Sequence, residues 1–239
     1  MIQISHRGFS RDYPENTMIA FKKAYEENFQ WIEFDIQFSK DHKLVVIHDD
    51  TVDRTSNGLG KVSAFLLDEL KRFDFGSWKG EQFHGERILE LGEVFNEFAG
   101  KLRMNIEVKF DDIRTQSEGT RCKLISSLVE MIHQEEMEQR VILSSFNHQL
   151  LTEIHTLDSG LNLGCLVTED SLEYIMNFYE ACPFFSLHAD INTAQPEVID
   201  EMNKLGVKIF LYTVNNRSDW LKTQSLKVDG IFTDNPKNL

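Results

Sequence analysis

Cysteine is scarce in this chain. Cys122, Cys165 and Cys182 are odd in number and stand at neither CxxC nor metal-ligand spacing, which excludes a complete disulfide framework and a thiolate metal site. They read as buried free thiols of a reducing compartment. No apolar run approaches the ~20 residues of a membrane-spanning helix. No signal peptide precedes the first apolar segment, so the expected location is cytoplasmic, without a stable membrane anchor. Positive charge is also short: 25 Lys and Arg face 39 Asp and Glu, a net charge of −14. That balance excludes nonspecific nucleic-acid binding, which needs a basic footprint, and electrostatic docking on anionic membranes. Repeats, low-complexity runs and Pro/Gly/Ser linkers are missing as well. Nothing divides the 239 residues, of which 41% are hydrophobic, so one domain with one core is expected over residues 1–239.

What is present alternates. Met1-Ile2-Gln3-Ile4 reads as a strand that ends at Ser5-His6-Arg7-Gly8. Met18, Ile19, Phe21, Ala24 and Tyr25 recur at helical spacing within Glu15 to Asn28, and Asn28 suits a left-handed closing position. Trp31 to Phe38 forms a strand, and the turn Ser39 to His42 leads into Leu44 to His48, the second arm of a hairpin. From Asp49 to Gly85 the pattern is irregular and rich in glycine, with one helix expected over Ala64 to Phe73. A connection this long in a compact fold reads as a small inserted subdomain packed over one end of the main body.

Beyond it, strands are expected at Arg103–Lys109, Val141–Phe146, Leu163–Val167, Phe184–Leu187, Lys208–Val214 and Gly230–Thr233. Helices fall between them, at about residues 90–99, 117–138, 147–157, 170–180, 196–205 and 217–226. With the first strand and Trp31 to Phe38, the count is about eight strands in βα alternation plus a hairpin arm. That predicts a TIM (β/α)8 barrel. A doubly wound open sheet is the alternative, disfavoured because no Gly-rich phosphate fingerprint follows any strand.

Several polar residues stand where strands end. Glu33 and Asp35 are two apart on one strand and so share a face. In a barrel that face is the interior, where unpaired carboxylates are costly, unless they sit near the mouth around a cation. Glu107 and Lys109 repeat the spacing on the next barrel strand, with Asn105 on the same face. Three converging carboxylates suit a hard divalent cation, Mg²⁺ or Ca²⁺. Ion pairing of Glu33, Asp35 and Glu107 with Arg7 and Lys109 is the alternative without metal. His6 and His48, both at strand ends, supply an acid/base pair, and the Arg7 guanidinium grips an anion with a rigid fork. His42, His84, His133, His148 and His155 are read as surface or packing residues. His188 ends a barrel strand, and a pocket-lining role for it stays open.

These residues recur in an ordered series. His6-Arg7-Gly8, Pro14-Glu15-Asn16-Thr17, Glu33-x-Asp35 and His48-Asp49 resemble the signature of the glycerophosphodiester phosphodiesterase family. Asn105-x-Glu107-x-Lys109, Ser145-Phe146, Tyr212-Thr213-Val214-Asn215 and Gly230-Ile231-Phe232-Thr233-Asp234-x-Pro236 follow in the same order. Arg54-Thr55-Ser56-Asn57-Gly58-x-Gly60 and Gly76-Ser77-Trp78 resemble the family's small inserted subdomain. Ser39 stands where the family usually has Thr, Leu89 where it usually has Pro, and Asn28 where it usually has Gly. None of these departures removes a group that does chemistry.

The resemblance implies a metal-dependent hydrolase that cleaves glycerophosphodiesters to glycerol 3-phosphate and an alcohol. On this chain Glu33, Asp35 and Glu107 would bind the divalent cation, His6 and His48 would be general acid and base, and Arg7 and Lys109 would hold the phosphate. Attack by the glycerol's neighbouring hydroxyl through a cyclic phosphate fits this set. The partner is then a small-molecule glycerophosphodiester, and no apolar stripe demands a dimer. Two other readings remain: a lysophospholipase D-type enzyme, with Phe9, Phe75, Trp78, Phe83 and Tyr212 as apolar rim, and a noncatalytic anion-binding barrel.

Overall fold

Residues alternating along a parallel strand point to opposite faces, and in this chain both faces are buried. The structure, a computed structural model, describes residues 1–109 and 117–235; Pro236, which closes the final motif, lies outside them. In chain order the elements are β1 (Ile2–His6), α1 (Met18–Glu26), β2 (Trp31–Phe38), β3 (Leu44–Val46), α2 (Leu67–Leu70), β4 (Leu89–Glu90), α3 (Leu91–Phe98), β5 (Arg103–Val108), α4 (Glu118–Gln134) and β6 (Val141–Ser145). They continue with α5 (His148–Leu157), β7 (Asn162–Val167), α6 (Leu172–Ala181), β8 (Ser186–Asp190), α7 (Pro196–Lys204), β9 (Lys208–Tyr212), α8 (Arg217–Thr223) and β10 (Gly230–Thr233).

Among the described residues, eight parallel strands run in the order β1-β2-β5-β6-β7-β8-β9-β10 and return to β1. The barrel is closed. The short strands β3 and β4 extend it as an antiparallel flap on β2, with Ile36 opposite Val46. The register turns Ile4, Trp31, Ile142, Phe210 and Phe232 into one interior cluster. The intervening residues, such as Ile32, Phe34, Ile36, Met104, Ile106 and Val108, pack outward against the helices in the main core. Glu33 pairs in register with Asn105, and Asp35 with Glu107, so the four polar residues share the inner side near the strand ends.

Several boundaries move for local reasons. The first helix begins at Met18, not Glu15, because Asn16 is left-handed at φ 58 and Thr17 caps the helix through Ala20, a contribution of ~1 kcal/mol. Asn28 has the expected left-handed backbone, φ 64. The helix expected over Ala64 to Phe73 shrinks to one turn, Leu67–Leu70, preceded by a 3-10 turn at Val62–Ala64. There the backbone bonds to the β2–β3 turn instead: Lys40 N–H donates to Phe65 O, and Leu67 N–H to Asp41 Oδ1. Strand β8 runs to Asp190, beyond the expected Leu187, because His188 and Asp190 keep pairing with Phe210 and Tyr212.

The 49–85 excursion gathers its own apolar cluster, with Val52, Val62, Leu70 and Phe75 packed on Val45 and Ile47 beside β3. At Ser39 a hydroxyl still serves the turn, donating to Asp41 and accepting from Lys43 N–H. Cys165 and Cys182 are buried free thiols as expected, whereas Cys122 is exposed. No helix of the described residues is long and apolar enough to cross a membrane.

Candidate active site

The strand ends on one side of the barrel carry the polar residues, and the backbone there is bent to fit. Arg7 is left-handed at φ 55, followed by Gly8 at φ 78. The Arg7 conformation costs about 1–3 kcal/mol and aims its own N–H at Glu33 Oε2, 2.9 Å away. Gly8 is required twice over: its φ favours glycine, and a Cβ would lie 2.8 Å from the Ala20 Cβ on α1. The turn therefore presses α1 against the end of β1.

Around it lies a cavity of about 220 Å³, lined by His6, Arg7, Glu33, His48, Asn105, Glu107 and Lys109 on its polar side. Phe146, Leu166, Tyr212 and Phe232 form an apolar wall, with Phe146 edge-on to Tyr212. Phe9, Phe75 and Phe83, named above as rim candidates, are buried instead. His188 is not at the mouth. It is fully buried inside the barrel, bonded to Ser186 at 2.8 Å and set between Phe210 and Phe232.

The three carboxylates converge. One oxygen from each of Glu33, Asp35 and Glu107 lies within 4.8 Å of the others. Glu33 and Asp35 are buried, and Glu33 Oε1 and Asp35 Oδ1 have no hydrogen-bond partner among the described residues. Orphaned buried carboxylate oxygens are expensive, and a divalent cation satisfies them, so the donor set fits such an ion. Burial, then the neighbouring Asp35 charge, pushes Glu33 up to about 8 and also raises Glu107. Asn105 adds a fourth oxygen, Oδ1, likewise buried without a partner among the described residues.

The cations are already paired. Arg7 reaches Glu15 at 2.9 Å and Asp35 at 3.4 Å. Lys109 donates to Glu107 at 3.1 Å and stands 3.3 Å from His48 Nε2. Each histidine has a carboxylate behind it. His6 Nδ1 is 2.6 Å from Asp234 Oδ1, which also accepts from Ser10, while Asn215 holds the other Asp234 oxygen at 2.6 Å. His48 Nδ1 is 2.7 Å from Asp49 Oδ1. In both cases Nε2 is the remaining ring nitrogen, and it is free of the backing carboxylate.

The two rings differ in charge preference. Burial works against protonation of His6, but Glu33 and Asp234 prevail and raise its pKa. For His48 burial, helped by Arg7 and Lys109, lowers it. Asp234 is held down at about 2: burial opposes, and the His6 hydrogen bond and charge dominate. The structure thus brings all seven sequence-predicted site residues to one mouth, and adds Asp234, Asn215, Ser10, Asp49, Glu15 and Arg54. Asp49 and Asp234 stand within the motifs already noted, but nothing in the chain pairs Asp234 with a histidine 228 positions away.

A profile of the glycerophosphoryl diester phosphodiesterase family matches residues 6–238. The chain belongs to this family. It is a TIM-barrel glycerophosphodiester phosphodiesterase, a phosphoric diester hydrolase of a family that hydrolyses glycerophosphodiesters. A glycerophosphodiester phosphodiesterase of Caldanaerobacter subterraneus is 41% identical over 239 residues, covering 99% of this chain and 95% of its own. One of Bacillus subtilis is 30% identical, over 99% of this chain and 84% of its own. Among solved structures, an Oleispira antarctica phosphodiesterase in complex with the product sn-glycerol-3-phosphate superposes with a TM-score of 0.89 at 28% identity, over 99% of this chain and 94% of that one. The glycerophosphodiester phosphodiesterase of Thermotoga maritima gives 0.79 at 29% identity, over 98% and 94%.

Proposed function

We propose that this phosphodiesterase cleaves small glycerophosphodiesters, such as glycerophosphocholine or glycerophosphoethanolamine, to glycerol 3-phosphate and the free alcohol. The observation that carries the reading is one cavity lined by two carboxylate-backed histidines, two cations and the carboxylates Glu33 and Glu107, with Asp35 converging on them from beneath. The Oleispira relative's product complex supports the assignment of the product.

Glu33, Asp35 and Glu107 would hold a divalent cation, Mg²⁺ or Ca²⁺, which when bound supplies Lewis-acid stabilisation of phosphoryl charge. Arg7 and Lys109 hold the nonbridging oxygens and stabilise the charge that builds on them. One histidine removes the proton of the glycerol 2-hydroxyl as that oxygen attacks phosphorus. The other protonates the departing alcohol. Water then opens the cyclic phosphate to glycerol 3-phosphate, the histidines exchanging roles. Phe146, Leu166 and Tyr212 screen one side of the cavity from water.

The assay supplies purified protein with glycerophosphocholine or lysophosphatidylcholine, with and without EDTA, and scores glycerol 3-phosphate and free choline. EDTA-sensitive release of both from glycerophosphocholine is the expected result. Choline released from lysophosphatidylcholine alone points to the lysophospholipase D reading, which the exposed Phe146 and Trp78 and the cavity-lining Tyr212 favour. No turnover of either overturns the enzyme reading. An analogue with its 2-hydroxyl blocked is expected to be inert, and normal turnover of it would exclude the cyclic intermediate.

A further inference from the structure

One guanidinium stands behind this site without lining it. Arg54 belongs to the 49–85 excursion and holds two carboxylates at once. Its Nε and Nη2 donate to the two oxygens of Asp49 at 2.7 and 2.8 Å. Its Nη1 and Nη2 donate to the two oxygens of Glu15, both at 2.8 Å. Each carboxylate has a second partner in the cavity: Asp49 meets His48 Nδ1 at 2.7 Å, and Glu15 accepts from Arg7 Nη1 at 2.9 Å.

A single exposed ion pair contributes little to stability, and the Arg54 side chain is 44% exposed. What a doubly bidentate fork provides is geometry. It fixes the plane and direction of both carboxylates, and through them the His48 ring and the Arg7 guanidinium. Glu15 follows Pro14 on the loop leading into α1, and Asp49 opens the excursion, so no shared strand or helix sets the distance between them. Arg54 sets it.

We propose that Arg54 is a positioning residue for the hydrolysis, orienting His48 through Asp49 and Arg7 through Glu15. This rests on the roles given above to His48 and Arg7. It gives the excursion a part in the reaction although Arg54 does not line the cavity.

The test measures kcat and KM for glycerophosphocholine in wild type, Arg54→Ala, Asp49→Asn and the double variant, with thermal midpoints beside them. Misplaced groups cost up to ~100-fold in rate, so Arg54→Ala is expected to lower kcat by about 10–100-fold while still unfolding cooperatively. Because both residues act on one ring, the double variant is expected to be within about twofold of the slower single variant. A general loss of structure would instead multiply the two effects. Arg54→Lys keeps the charge and loses the fork, with kcat expected to fall about 5–10-fold, and this variant decides if Arg54→Ala does not fold. Wild-type kcat in a folded Arg54 variant, or effects that multiply, overturns the positioning role alone. A wild-type protein that turns over no glycerophosphodiester overturns the functional reading and this proposal with it.

Discussion

Asp49 and Asp234 repeat one device: a carboxylate oxygen 2.6–2.7 Å from a histidine Nδ1, which fixes the tautomer and leaves Nε2 facing the cavity. Asp234→Asn places an amide where a carboxylate was, and an amide N–H donating to Nδ1 would favour the wrong tautomer. The expected outcome is a fall in kcat of about 10–100-fold with little change in thermal midpoint, read by steady-state kinetics and a melting curve. His48 was legible as a candidate from its place at the end of the expected hairpin arm, followed by Asp49, although β3 itself stops at Val46. The partner of His6 was not, because closure of the barrel, not proximity in the chain, brings β10 beside β1.

His188 makes a different prediction at this scale. Burial lowers its pKa to about 3 from the ordinary 6.5, so the folded protein holds it neutral while the unfolded chain protonates it. The contribution to stability is complete above pH 6.5 and is lost as pH falls toward 3. At pH 5 the loss is about 2 kcal/mol, from ~1.4 kcal/mol per pH unit. Urea unfolding of wild type and His188→Gln at pH 7.5 and 5 checks this: the wild type is expected to lose more stability between the two.

At the scale of elements, interior space is allotted strand by strand. A Cβ on Gly164 of β7 would sit 2.6 Å from the His188 ring on β8 and 2.9 Å from Ser144 Cβ on β6. The ring cannot move aside, being held by Ser186 and flanked by Phe210 and Phe232. Gly164→Ala is therefore expected to lower stability by about 1–3 kcal/mol, seen as a lower urea midpoint with an unchanged slope. The eight barrel strands and the helices between them were readable from periodicity, whereas the two-residue strand β4 (Leu89–Glu90) was not. Boundaries were less so where a polar residue continued a strand, as His188 and Asp190 do in β8, or where the backbone bonded sideways, as at Phe65 and Leu67. In both places a tertiary partner overrode the local pattern.

Across the whole molecule, a net charge of −14 surrounds a site built to take an anion. Arg7 and Lys109 supply local positive charge, but both lie against carboxylates, which leaves the convergent acids as the main source of strain. Binding a divalent cation relieves it and stabilises only the folded state. At a metal concentration 100 times Kd the gain is ~2.7 kcal/mol, equivalent to about 5–10 °C in thermal midpoint for a chain of this size. Adding Mg²⁺ or Ca²⁺ to EDTA-treated protein is expected to raise the midpoint by that order, and Glu33→Gln to abolish most of the rise; equal midpoints with and without metal would count against the site.

The alternation of strands and helices, and with it the barrel, followed from the sequence alone, because hydrophobic periodicity is a local property. So did the common face of Glu33 and Asp35 on one strand and of Asn105, Glu107 and Lys109 on another, since side chains repeat every second residue along a strand; the register between β2 and β5 then brought the two sets together. The tertiary structure decided that Asp234 backs His6, and how Arg54 joins Glu15 to Asp49. Those contacts depend on barrel closure and on left-handed turns at Arg7 and Asn16, and neither distance along the chain nor residue type encodes them.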